Sequence, residues 1–156
     1  MDSAVIDRLE KSFNALAHRG EELVDRFYAL LFARNPQLRP LFPSALRDQK
    51  QKLLSSVILV MKNLRSPEML RQPLIDMGRR HVAYGAQPEH YPVVRDTLVE
   101  VMASMAGPIW NDELTSDWKR ALHFVSMVML EGHQQAAGSA CNAASNAGSA
   151  PAMAGA

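Results

Sequence analysis

"QPLIDMGRRHVAYGAQPEHYPVV", residues 72–94, is the stretch on which the fold turns. Leu74, Met77 and His81, with Leu70 before them, recur at steps of four, three and four, the spacing of one face of an α-helix. Gly85 is a natural stop, and Gln87-Pro88-Glu89 is a natural start. The stretch therefore reads as two helices joined by a turn. It also places an imidazole where the next apolar side chain belongs.

The same periodicity extends in both directions. Residues 4–17 form an amphipathic segment, and Gly20 separates it from a helix over 21–34 in which Leu23, Phe27 and Leu31 share a stripe beside Val24, Tyr28 and Phe32. Asn35-Pro36 predicts an N-cap and a short helical turn ending at Phe42. Leu53, Val57, Val60 and Leu64 line a helix over 48–64. Ser66-Pro67-Glu68 opens the helix that carries His81, and the one after it ends near Gly107-Pro108. Asn111-Asp112-Glu113 caps the last, which runs through Trp118, Leu122, Val125 and Met129. No strand-like alternation is bounded by hairpin turns. The expectation is an all-α domain over residues 1–135. Residues 136–156, "AAGSACNAASNAGSAPAMAGA", hold almost no large apolar side chain, so a disordered tail is expected there, with an alanine-rich extension of the last helix as the alternative.

Composition narrows the function. With 47% hydrophobic and 21% charged residues, the chain has the balance of a globular domain. Seventeen Lys and Arg against sixteen Asp and Glu leave a net charge of +1 with no basic block, which argues against nucleic acid as a partner. A single cysteine, Cys141, allows neither an internal disulfide nor a thiolate metal site. The start, "MDSAVIDRLEKSF", has early acids and no long apolar core, unlike a signal peptide. The longest apolar run, "LLSSVILVM" (53–61), is too short to span a bilayer. The expected location is the cytoplasm, without stable membrane insertion.

Three helices each bring one polar group onto an apolar face. His81 continues the Leu70–Leu74–Met77 stripe, Gln49 lies at the head of the Leu64–Val60–Val57–Leu53 stripe, and Tyr28 sits among leucines and phenylalanines. Each has an ordinary explanation: a hydrogen-bonded core histidine, a tyrosine reaching a rim, a solvated glutamine near a helix start. Together they suggest a shared partner, because buried polar groups are hydrogen-bonded. A neutral imidazole ligates iron, zinc or copper. Zinc asks for about four protein ligands, and no second His or Cys lies at ligand spacing on the same face; His18, His90, His123 and His133 are scattered. One histidine on an apolar wall fits haem, whose porphyrin supplies four nitrogens.

The motifs "FYALLFARNPQLRPLF" (27–42), "DQKQKLL" (48–54) and "MGRRHVAYGAQPEHYPVV" (77–94) resemble bacterial single-domain globins and the globin domain of flavohaemoglobins, over about residues 4–133. The resemblance implies a globin fold, a three-on-three helical sandwich around haem b (iron protoporphyrin IX). It implies that His81 is the proximal iron ligand, that Phe42 packs on the haem face, and that Tyr28 and Gln49 are the distal pair that hydrogen-bonds dioxygen. Leu53 then stands beside that pair, Met77 lines the cavity, and Tyr91 supports His81. Arg80 and Lys52 become candidates for the haem propionates, against the alternative of solvated surface cations.

The chain departs from the flavohaemoglobin pattern where that pattern has a glutamate on the last helix: the position falls on His133, and the nearest acid, Glu131, lies two residues earlier on another side. No flavin or nicotinamide module is expected in residues 136–156, so a reductase would be a separate protein. The resemblance thus implies small gaseous ligands (O₂, NO, CO) and, as activity, reversible dioxygen binding for storage, delivery or buffering. The alternatives are an NO dioxygenase served by a separate reductase, a gas sensor with an output partner, or a haem-free helical interaction module.

Overall fold

The computed structural model describes residues 1–148, and every regular element in it is helical, with no strand among the described residues. Helix α1 (Ser3–Leu16) starts on Asp2, whose carboxylate accepts from the Ala4 N–H at 3.2 Å, and buries Val5, Ile6, Leu9, Phe13 and Leu16 along one stripe. A 3-10 turn, Ala17–Arg19, leads into α2 (Gly20–Arg34). Glu21 and Glu22 in the first turn of α2 complement the positive end of its dipole.

Asn35 does not cap the element that follows it. Its side-chain amide and its backbone N–H both donate to the Leu31 carbonyl, at 3.1 and 2.9 Å, so it closes α2 instead. The residue before a proline avoids helical backbone, and the turn after it, Pro36–Leu41, is 3-10 rather than α-helical.

Helix α3 (Arg47–Lys62) follows, then a 3-10 turn, Pro67–Leu70, and α4 (Arg71–Ala83). Gly85, at φ +84°, ends that helix as expected: the backbone takes a left-handed turn that side chains disfavour. Helix α5 (His90–Ala106) comes next, and α6 (Asp112–Gly148) is the last described element. The Asn111 Oδ1 accepts from the Leu114 N–H at 2.8 Å, which is the cap expected there.

Residues 136–148 continue α6, as in the alternative of an alanine-rich extension of the last helix. Propagating an existing helix is far easier than nucleating one, and alanine has the highest helix propensity, so the segment needs no tertiary cover. The rest of that expected tail, 149–156, lies outside the described residues. The division of labour along α6 is nevertheless sharp: His133 is the last residue described as buried.

Helices α4 and α6 form the closest pair, running antiparallel, with α5 and α1 also against α6 and with α2 crossing both α5 and α3. One core results, centred on Leu9, Leu31, Leu70, Leu74, Met102 and Trp118. Its few polar members are paired. The Trp118 Nε1–H donates to Ser12 Oγ at 3.0 Å, Ser12 donates onward to the Leu9 carbonyl at 2.9 Å, and Arg8 Nε meets Asp117 Oδ2 at 2.6 Å. These contacts tie the first helix to the last. Helices α3 and α4 belong to different packed pairs and are not a principal pair themselves.

Candidate functional site

One wall of the site is built by α2, the 3-10 turn after it and the start of α3. Tyr28 is 2% exposed, with Phe27 at 5.0 Å and Phe42 at 5.7 Å, both edge-on, and Phe32 at 5.8 Å. Phe42 in turn stands edge-on to Phe32 at 5.2 Å. Burial raises the Tyr28 pKa above the ordinary tyrosine value, and a polar contact from the Gln49 side chain opposes that in part. At neutral pH the phenol is therefore a protonated donor. Leu53, one turn beyond Gln49, packs half-buried against the core, while Lys52 is exposed.

Phe42 is held by a residue that the sequence did not single out. The Arg39 guanidinium donates to the backbone carbonyls of Phe42, Pro43 and Ser44 at 3.2, 2.9 and 2.9 Å. It also lies over the Phe32 ring, 5.2 Å from its centre. Carbonyl acceptors have no sequence signature, so nothing in the chain marked this contact in advance.

The other wall is α4 with α5 and α6 behind it. His81 Nδ1 lies 2.7 Å from the Met77 carbonyl, one turn back. A carbonyl can only accept, so the Nδ1 must carry the proton and Nε2 the lone pair. Nε2 makes no hydrogen bond to any described residue. Burial lowers the His81 pKa; the Met77 carbonyl opposes this, and the nearby Arg80 and His133 reinforce it. The ring is thus neutral at pH 7, with one nitrogen oriented and the other available. Tyr84 and Tyr91 flank it, with ring centres at 5.8 and 6.1 Å. Arg80 itself is exposed.

Behind His81, the Tyr91 hydroxyl lies 3.4 Å from His133 Nδ1, and the two rings meet edge-on at 5.9 Å. Both are buried, and burial pushes the Tyr91 pKa up to about 12. Glu131 lies elsewhere, paired on the surface with Arg71 at 2.7 Å. The tyrosine behind His81 therefore faces an imidazole, not a carboxylate.

These residues suit haem better than a metal held by protein alone. Among the described residues, no three His, Cys, Asp or Glu are grouped so as to hold a metal ion. Phe42, Leu53 and Met77 are apolar yet only partly covered, on elements that do not close against one another. A neutral imidazole with its second nitrogen hydrogen-bonded to backbone is the usual preparation of a metal-ligating histidine.

The globin family profile matches residues 25–129, which includes every residue of both walls except His133. The chain belongs to the globin family. The globin is 29% identical over 115 residues to a globin-like protein of Aquifex aeolicus, covering 74% of this chain and 81% of that one. It is 30% identical over 118 residues to a flavohemoprotein of Rhizobium meliloti, covering 74% of this chain but 29% of the flavohemoprotein. It therefore spans less than a third of that relative's length. Among solved structures it resembles a bacterial globin from Campylobacter jejuni, at TM-score 0.77 and 21% identity over 86% of this chain and 97% of that one. It also resembles an engineered carbene transferase from Rhodothermus marinus, at TM-score 0.82 and 24% identity over 90% and 99% of the two chains. At these identities the structures show the fold alone. Family and flavohemoprotein relatives imply a haem cofactor and small gaseous ligands for this globin. No helix among the described residues is long and apolar enough to cross a membrane.

Proposed function

We propose that this globin holds haem b through His81 Nε2 and binds dioxygen reversibly on the Tyr28 side, acting as an oxygen store, carrier or buffer in the cytoplasm. Haem, when bound, supplies a ferrous iron with one position open to a small gas. Everything else falls to the chain. The Met77 carbonyl fixes the His81 tautomer and ring orientation. Phe42, Leu53 and Met77 exclude water from the cavity, and Arg80 and Lys52 stand as cations for the propionates. Tyr28 Oη–H would donate to dioxygen held in the cavity, with Gln49 steadying the hydroxyl.

The observation that carries this reading is the Tyr28 side chain, buried among Phe27, Phe32 and Phe42, with the Gln49 side chain acting on its hydroxyl. A donor inside an aromatic wall has little use unless an acceptor enters, and dioxygen on ferrous iron is a better acceptor than carbon monoxide. The proximal side supports the same reading: the His81 Nδ1–H is committed to a neutral carbonyl, and the residue behind Tyr91 is a histidine. Neither withdraws that proton, so His81 remains a neutral donor suited to holding a gas rather than activating it.

The second reading, an NO dioxygenase reduced by a separate protein, is favoured by the flavohemoprotein relatives. It uses the same Tyr28 and Gln49. One experiment addresses both. Purified protein is loaded with haemin, reduced, and exposed to O₂ and CO while the Soret band is followed, then given NO with a reductant in air. Stable oxy and carbonyl spectra with only stoichiometric NO loss support the carrier. Multiple turnovers of NO to nitrate support the enzyme. Failure to take up haem rejects both.

A further inference from the structure

Glycines at the crossing of α4 and α6 do more than permit close packing. A Cβ built at Gly78 would stand 1.8 Å from the Met129 carbonyl oxygen, and one at Gly132 would stand 2.0 Å from the Ile75 carbonyl oxygen. The contact is reciprocal: Ile75 and Gly78 on α4 face Gly132 and Met129 on α6, in antiparallel order. Each glycine receives backbone of the other helix, not the end of a flexible side chain. Gly78 is one residue past Met77, which fixes the His81 tautomer, and three before His81. Gly132 adjoins His133, which faces Tyr91.

From this geometry we infer that Gly78 and Gly132 are positioning residues for the proximal histidine: their mutual fit sets how far α4 carries His81 into the pocket. Contacts to Cβ below 3.0 Å do not occur in practice, so alanine at either position must part the helices by roughly 1 Å, from 1.8 or 2.0 Å toward 3.0 Å. Backbone cannot rotate aside as a side chain can. Helix α4 has α6 as its principal packed neighbour, so it is the element free to move, and His81 moves with it. A displacement of that size is large for a ligand that must meet a fixed acceptor geometry.

The inference rests on His81 as the haem ligand, and its test separates the two claims. Gly78→Ala and Gly132→Ala are prepared alongside Gly138→Ala, which lies on α6 like Gly132 but with nothing within 4 Å of the added Cβ. The iron–histidine stretching band of the ferrous, gas-free protein is measured by resonance Raman, with the rate of haem loss to an apo-acceptor and the thermal midpoint of the apoprotein. The expected result is a shifted or split iron–histidine band and haem loss at least several-fold faster for Gly78→Ala and Gly132→Ala, with Gly138→Ala like wild type. An unshifted band in folded Gly78→Ala and Gly132→Ala overturns the inference, even if the thermal midpoint falls. Failure of both variants to fold as apoproteins also overturns it, because the glycines would then be a condition of the fold and not of ligand placement. Absence of the band in wild type removes the His81 assignment itself.

Discussion

Tyr28 and Tyr91 show how burial makes the same side chain serve two ends. Tyr28 is kept protonated beside Gln49, where its hydroxyl can donate to a bound gas. Its removal tests the donor directly. A hydrogen bond with charge-assisted character is worth roughly 1.5–3 kcal/mol, so Tyr28→Phe should speed O₂ dissociation by about 10- to 150-fold. CO release, measured in the same stopped-flow series, should change much less; equal effects on both gases would remove the donor role. Tyr91 predicts a pH effect instead. Its folded pKa, about 12, lies above the ordinary 10.0, so the folded state holds that proton more tightly than the unfolded state does. The resulting stability is fully present below pH 10 and is lost between pH 10 and about 12. In Tyr91→Phe the thermal midpoint should fall less steeply across that window than in wild type, and an identical slope would contradict the assignment.

At the scale of elements, the turn after α2 depends on a single side chain. Arg39 gathers three consecutive carbonyls under a planar, five-donor head and stacks on Phe32, so Phe42 is presented to the pocket by a clamp and not by the loop's own preference. Arg39→Ala should free the 42–44 backbone, seen as faster amide exchange there and haem loss several-fold faster. Arg39→Lys should rescue little, since a compact ammonium cannot span three acceptors or stack in the same way. This clamp also marks where reading the chain stops working. His81, Gly85 and the start at Gln87-Pro88-Glu89 were legible because periodicity and turn chemistry are local. Tyr28 and Gln49 stood out as polar groups on apolar stripes. Arg39 was invisible because its partners are backbone atoms, which every residue carries. Asn35 closes α2 and does not cap the turn after it, because the same residue type serves either side of a helix break. Gly78 and Gly132 are each an isolated glycine inside a helical pattern, a recognisable oddity, but only the crossing of α4 and α6 shows that the two answer each other.

At the scale of the whole molecule, His133 is the last residue described as buried, and α6 continues beyond it to Gly148. Truncation after Ala140 should therefore leave haem binding unchanged and shift the unfolding free energy by no more than about 0.5 kcal/mol, the usual range for changes away from packed features. A large fall in the thermal midpoint would show that this end of α6 has a partner within the protein. The opposite end behaves differently. Asp117→Ala removes the shorter of the two ion pairs of Arg8, leaving Glu113 at 3.4 Å, and should lower the thermal midpoint more than the truncation does, as followed by circular dichroism. The Arg8–Asp117 contact joins residues 109 positions apart, and Ser12 and Trp118 add a second bond across 106. Helix α1 leaves the ribosome before the other described elements, and the side chains that receive its polar groups follow more than a hundred residues later. The nascent chain therefore holds α1 without these partners until α6 has emerged, so the domain can close only once that last described helix is available.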